Sequence, residues 1–215
     1  MPSQSEQISC QNTEVSQVNE KFWDLKKSRQ DSMINSALKV FAVGGYRHAS
    51  TDEIVAGASI SKGLLFHYFY SKQGLYEFLA EYSARYALVE LGSELRKRES
   101  LPFFDLMTGI VNAESQTMRR YPYMMLFLKR VLSESGGISK QAAENAVMYT
   151  DRIRSLVNQS VLPKTMVLDD ALKTEHYIEL VRIDLMTSLL REGSSDPDRY
   201  RASAAEAVGF FRDHF

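Results

Sequence analysis

From Lys27 onward the apolar residues of this chain recur at intervals of three and four, and nowhere do they alternate with polar ones over a strand's length. That spacing puts apolar side chains on one stripe of a helix, so it predicts an all-α chain of about nine helices. Met33, Ile34, Ala37, Leu38 and Phe41 carry the stripe of a first helix over Lys27–Val43, stopped by Gly44 and Gly45. Ser50, with Glu53 three residues on, opens a short second helix, and Ser61 to Tyr68 reads as an equally short third. A long fourth helix runs from Lys72 to about Arg98, its stripe Leu75, Phe78, Leu79, Tyr82, Tyr86 and Val89. It would span roughly 40 Å, enough to tie a small head to a larger body. Pro102, Pro122, the Gly136–Gly137 pair, Pro163 and Asp196–Pro197 divide the remainder into five more helices. Among these, Ser139–Leu162 carries the weak stripe Ala143, Val147, Ile153, Leu156 and Val157.

The segments outside these helices narrow the function. Residues 1–26 read as a flexible arm: Met1–Glu20 is rich in Ser, Gln, Asn and Glu, though Phe22, Trp23 and Leu25 can extend the first helix backwards. The one cysteine, Cys10, rules out an internal disulfide and a cysteine-based zinc site. No run approaches the roughly 18 apolar residues of a membrane span, and the polar start lacks a signal peptide's apolar core, so a cytoplasmic protein without a membrane partner is expected. Net charge is −1, yet Lys21–Lys72 holds eight basic residues against four acidic ones. Such a local excess suits either an anion-binding face or an ordinary solvated helix surface.

Two short helices joined tightly are a helix-turn-helix pattern, and here the residues say more. The stretch STDEIVAGASISKGLLFHYF from Ser50 to Phe69, continued by YSKQGLY, closely resembles the DNA-binding signature of the tetracycline-repressor (TetR) family. Phe41, Gly45 and Tyr46 before it, Ile54, Ala58, Ser61, Lys62, Gly63 and Leu65 within it, and Tyr68, Phe69, Lys72 and Leu75 at its end keep the register. The resemblance implies a DNA-binding domain over residues 27–87 and a ligand-binding and dimerisation body over 88–215. It places DNA contacts at Thr51, Ser61, Lys62, Gly63, Leu64, Phe66, His67, Tyr68 and Lys72. Thr51 and Ser61 stand at helix starts suited to phosphate, or simply cap. Lys62 can reach guanine acceptors or phosphate, or stay solvated. Gly63 suits close approach of DNA, or close packing within the protein. His67 and Tyr68 can donate to phosphate or pack, and Lys72 can clamp the backbone. Three positions depart from the family pattern: Phe66 for tyrosine, Leu64 for threonine, where it can press on a thymine methyl, and Ser59 for the turn glycine.

For the body, the resemblance implies a homodimer formed by the last two helices, with Leu185, Leu189, Tyr200, Ala204, Ala207, Val208 and Phe211 as the expected face. Packing inside one subunit would use the same stripe. Ala202, Ala205 and Gly209 would allow a neighbouring helix to come close. It also implies a pocket for a small hydrophobic effector, with Phe103, Met107, Phe127, Met148 and Tyr149 as candidate lining and Arg130, Arg152 or Arg119 as polar anchors. Met and aromatic stripes at helical spacing serve a core equally well. His48, His67, His176 and His214 show no metal-ligand spacing, and neither a nucleotide-binding glycine loop nor a nucleophile motif is present, so no metal, cofactor or enzymatic activity is expected. The function expected is a repressor released from a pseudo-palindromic operator in double-stranded DNA by that effector. The rival readings are an activator or chromosome-organising protein, and a helical carrier or enzyme.

Overall fold

The computed structural model describes residues 18–95, 101–134, 138–193 and 195–215. Over these residues the fold is all-α, with nine α-helices, one 3-10 turn and no strand beyond an isolated bridge between Pro102 and Val161. The head comprises α1 (Lys27–His48), α2 (Thr51–Ala58) and α3 (Lys62–Phe69). Next come α4 (Lys72–Leu95), α5 (Phe103–Arg120), α6 (Met124–Ser133), α7 (Lys140–Gln159), α8 (Leu168–Arg191) and α9 (Pro197–Arg212). The Gly136–Gly137 stop and the end of the fourth helix near Arg98 fall outside the described residues.

Of the expected arm, residues 18–26 are described. Val18–Lys26 is part of the head, because Phe22, in the 3-10 turn Glu20–Phe22, is fully buried against Tyr68, Phe69 and Phe78. Buried Gln30 holds this segment down, donating from its amide to the carbonyls of Phe22, Trp23 and Leu25. Gly45 breaks α1 as expected: its φ of 65° and ψ of 176° belong to a region open essentially to glycine alone. A Cβ there would also collide with the Glu134 carboxylate.

The central helix, α4, lies between α5 and α7 and also touches α1, α3 and α6. It is therefore buried on more than one face, with Tyr76, Ala80, Ser83, Ala84, Ala87 and Leu91 covered beside Leu75, Phe78 and Leu79. Val89, which the simple stripe would bury, is exposed. The α7 stripe is likewise displaced: Val147 is exposed, and Ala142, Ala146, Tyr149, Ile153 and Val157 face inward. In α9, Asp196 caps by accepting from the N–H groups of Asp198 and Arg199, followed by Pro197 in the first turn.

Two ionic clusters join head to body. Asp31 of α1 accepts from Arg120 Nη2 at 2.7 Å, from the Tyr121 hydroxyl at 2.6 Å, and pairs with Lys27 at 3.2 Å. Glu134, just past α6, accepts from the Tyr46 N–H at 3.0 Å and the Tyr76 hydroxyl at 2.9 Å. Both carboxylates thus bind donors from separate elements, fixing how the head sits on α5 and α6.

Candidate nucleic-acid interface

The second and third helices owe their geometry to their termini. Ser50 accepts from the Asp52 N–H at 3.2 Å and Ser61 from the Leu64 N–H at 3.2 Å, so each hydroxyl satisfies a helix-start donor. Between them Ser59 takes φ 53°, ψ 48°, the left-handed conformation that glycine adopts most readily. The turn geometry therefore survives the replacement of glycine, at a conformational cost. At the far end Tyr70 has φ 62°, and the Ser71 N–H donates to the Phe69 carbonyl at 2.6 Å, a tight reversal into α4.

Burial splits α3 into two faces. Leu65, Tyr68 and Phe69 are buried, whereas Ser61, Lys62, Gly63 and His67 are exposed and Leu64 and Phe66 lie half-covered between them. The outward face therefore comprises the first turn plus His67. A Cβ at Gly63 would meet nothing within 4 Å, so protein packing does not account for this glycine. Lys62 reaches back across the turn to Asp52 at 2.9 Å, and Lys72 lies over the Tyr46 ring at 4.7 Å. Thr51 is partly exposed at the start of α2. Tyr68 is the exception among the expected contacts: it is 7% exposed, its ring edge-on to Phe22 at 5.7 Å, and it serves the core. Asn19 is a residue that sequence reasoning missed. Its N–H donates to the Tyr68 carbonyl at 2.9 Å and its amide to the His67 carbonyl at 3.3 Å, bracing the end of α3.

In the body, a cavity of about 470 Å³ opens between α5, α6, α7 and α8. Of the expected lining only Tyr149 borders it. Phe103, Met107 and Phe127 are packed in the core, and Met148 and Arg152 are exposed on the outer side of α7. Arg130 lines a second cavity, of about 410 Å³, between α1, α6 and α8, and lies 3.5 Å from Glu134. Arg119 pairs with Asp198 at 2.6 Å. Periodicity selects the buried face of a helix but is blind to where the packing leaves a void, hence these displacements. The cavity's polar lining comes instead from Glu114, Lys129, Arg154, Glu175, His176, Glu179 and Arg182. Arg182 and Glu114 are both buried and meet at 2.6 Å, and Glu114 also accepts from the Tyr200 hydroxyl. Burial pushes both the Tyr149 and the Tyr200 hydroxyl well above a phenol's usual range, and the negative charge of Glu114 adds to it.

The expected dimer face lies partly inside its own subunit. Leu189, Tyr200, Ala204 and Val208 are buried within their own subunit, where α9 packs on α5 and α8, and Leu185, Ala207 and Phe211 are half-buried. The large apolar side chains left exposed on these helices are Leu168, Tyr177, Leu180 and Val181 of α8 and Phe210 of α9.

A capped, outward-facing helix on a three-helix head, joined by one long helix to a helical body, defines a helix-turn-helix DNA-binding regulator. Residues 33–79 match the model of the bacterial regulatory proteins, tetR family, so the head carries that family's DNA-binding domain. The chain's fold is that of solved structures of the family. A TetR family transcriptional regulator from Chloroflexus aurantiacus aligns with a TM-score of 0.58 at 18% identity, covering 90% of this chain and 95% of that one. PfmR from Thermus thermophilus aligns at 0.57 and 17% identity, covering 82% and 94%. The regulator FadR from Bacillus subtilis, solved in complex with stearoyl-CoA, aligns at 0.56 and 12% identity, covering 85% and 97%. Among curated proteins no sequence matches.

Proposed function

We propose that two copies of this chain bind a pseudo-palindromic operator and are released from it by a small molecule held in the body, making the protein a ligand-controlled repressor. The observation that carries the DNA half is the division of α3: one face is anchored by Leu65, Tyr68 and Phe69, and the other offers Ser61, Lys62, Gly63 and His67 to a partner. A helix so presented lies in the major groove by its N-terminal turn, where Lys62 and Leu64 reach base edges and His67 reaches phosphate. Thr51 and Lys72 hold the backbone on either side, and Phe66, lacking a hydroxyl, contributes contact area.

Dimerisation would use the exposed apolar side chains of α8 and α9, Tyr177, Leu180, Val181 and Phe210, with Ala202 and Ala205 allowing close approach. It matters because one head reads only a few bases, whereas two heads about one helical turn apart read a half-site each. The effector would occupy the cavity bordered by Tyr149. Its walls include α6, whose end is fastened to the head through Glu134, so a ligand that shifts α6 also shifts the head. Selection of operators from random duplex DNA with purified protein tests this reading. A two-fold symmetric consensus is expected, and binding with no preference over random competitor at moderate ionic strength would overturn it.

A further inference from the structure

The charges around the body cavity are unevenly satisfied. Three carboxylates line it, Glu114, Glu175 and Glu179, against the cations Arg182 and Lys129, with Arg154 directed largely to solvent. Glu114 is engaged by Arg182 and Tyr200. Glu179 accepts from Lys129 at 3.0 Å and has His176 at 3.6 Å. Glu175 has less. Its nearest cation, Arg182 Nη2, stands at 3.6 Å, beyond hydrogen-bond reach, and no described residue donates to it, although its side chain is only 19% exposed. Tyr149 is the second group without a hydrogen bond from its side chain to a described residue. It is 8% exposed and borders the cavity. The apolar part of the wall is built from Met125, Leu128, Leu132, Ile153 and Leu172.

We propose that this cavity takes an amphiphilic cation, an apolar molecule carrying one ammonium or amidinium group that docks between the Glu175 carboxylate and the Tyr149 hydroxyl. At about 30 Å³ per water-sized group the space suits a body of roughly fifteen non-hydrogen atoms. The cation supplies the donor that Glu175 lacks and offers a proton to the Tyr149 oxygen. An anionic head would bring a fourth negative group into a low-dielectric space and leave Glu175 without a donor. Burial raises the Glu175 carboxyl above its ordinary range, and a docked cation would lower it again.

The proposal rests on reading this cavity as the effector site, and the experiment separates the two. Decylamine, decanol and decanoate share one apolar chain and differ in the head. Each is titrated calorimetrically into the full-length protein below its micellar concentration, and each is tested for release of the selected operator. Decylamine should bind about tenfold more tightly than decanol, with decanoate weakest. Glu175→Gln should weaken decylamine about tenfold while leaving decanol within about twofold, and Tyr149→Phe should weaken decylamine severalfold. The proposal is overturned if decanoate binds as well as decylamine, if Glu175→Gln weakens all three heads alike, or if decylamine does not bind. Decylamine binding with these preferences but without operator release leaves the site chemistry intact and defeats the effector reading. Operator release by decanoate with decylamine inert does the reverse.

Discussion

Two carboxylates show how one residue type serves opposite ends. Asp31 loses by burial but gains more from hydrogen bonds to Arg120, Tyr121 and Lys27, which hold its carboxyl below the ordinary 3.8. Its contribution to stability is therefore present above that value and is lost as pH falls through the lowered one. Asp31→Asn should unfold at a lower temperature than the parent at pH 7, the difference closing under strong acid, as thermal melts across pH would show. At Glu175 burial outweighs the attraction of Arg182, so its carboxyl lies above the ordinary 4.5. The fold favours the neutral acid, a contribution present below 4.5 and lost as pH rises through the raised value. Glu175→Gln should therefore melt higher than the parent at pH 7 and match it in acid. A variant that gains stability and loses a ligand is the pattern of a residue retained for binding. Gly45→Ala should cost about 1–3 kcal/mol in chemical denaturation, from the strained φ alone, because alanine has no comfortable place at that backbone geometry.

At the scale of the element, α3 is the instrument and α4 its mount. If Lys62 and Lys72 touch phosphates, each alanine variant should reduce the logarithmic salt slope of operator binding by about one, read from titrations at several ionic strengths. Lys62 is held at 2.9 Å from Asp52 in the free protein, so binding must exchange that exposed ion pair for phosphate. Exposed pairs contribute about 0–1 kcal/mol, which makes the exchange an easy one. A salt slope unchanged in both variants would remove these lysines from the contact set. The turn before α3 and the reversal after it, at Ser59 and Tyr70, both hold non-glycine residues at positive φ. They bracket the helix proposed to enter the groove, and backbone strain is commonly concentrated at functional sites.

For the whole molecule the surface that the proposed dimer would use is the exposed apolar part of α8 and α9. Tyr177, Leu180, Val181 and Phe210 are too exposed to stabilise a lone subunit and of the type that fills an interface core. Leu180→Glu should leave the helical signal and melting of the subunit largely intact. It should weaken dimerisation by at least about tenfold in light scattering and reduce operator affinity with it, since a buried unpaired carboxylate costs several kcal/mol. A dimer of unchanged affinity would move the interface elsewhere.

The helical periodicity and the boundaries at Gly45, Pro163 and Pro197 were legible in the residues alone, since each depends on local backbone chemistry, while the register of the DNA-binding signature was legible through its resemblance to a family. Ser50, Ser61 and Asp196 cap, Gly45 breaks α1, and Leu65 points inward, as spacing implied. What the tertiary structure decided was which of two buried-looking faces meets which neighbour. Tyr68 joined the core because Phe22 folds back onto it, and Tyr200 turned inward because Glu114 and Arg182 lie on α5 and α8 beside it. Glu175 and Tyr149 came to share a cavity although they are far apart in sequence. Periodicity describes a helix one at a time, whereas a void or an ion pair belongs to several helices at once, and only their packing determines where it falls.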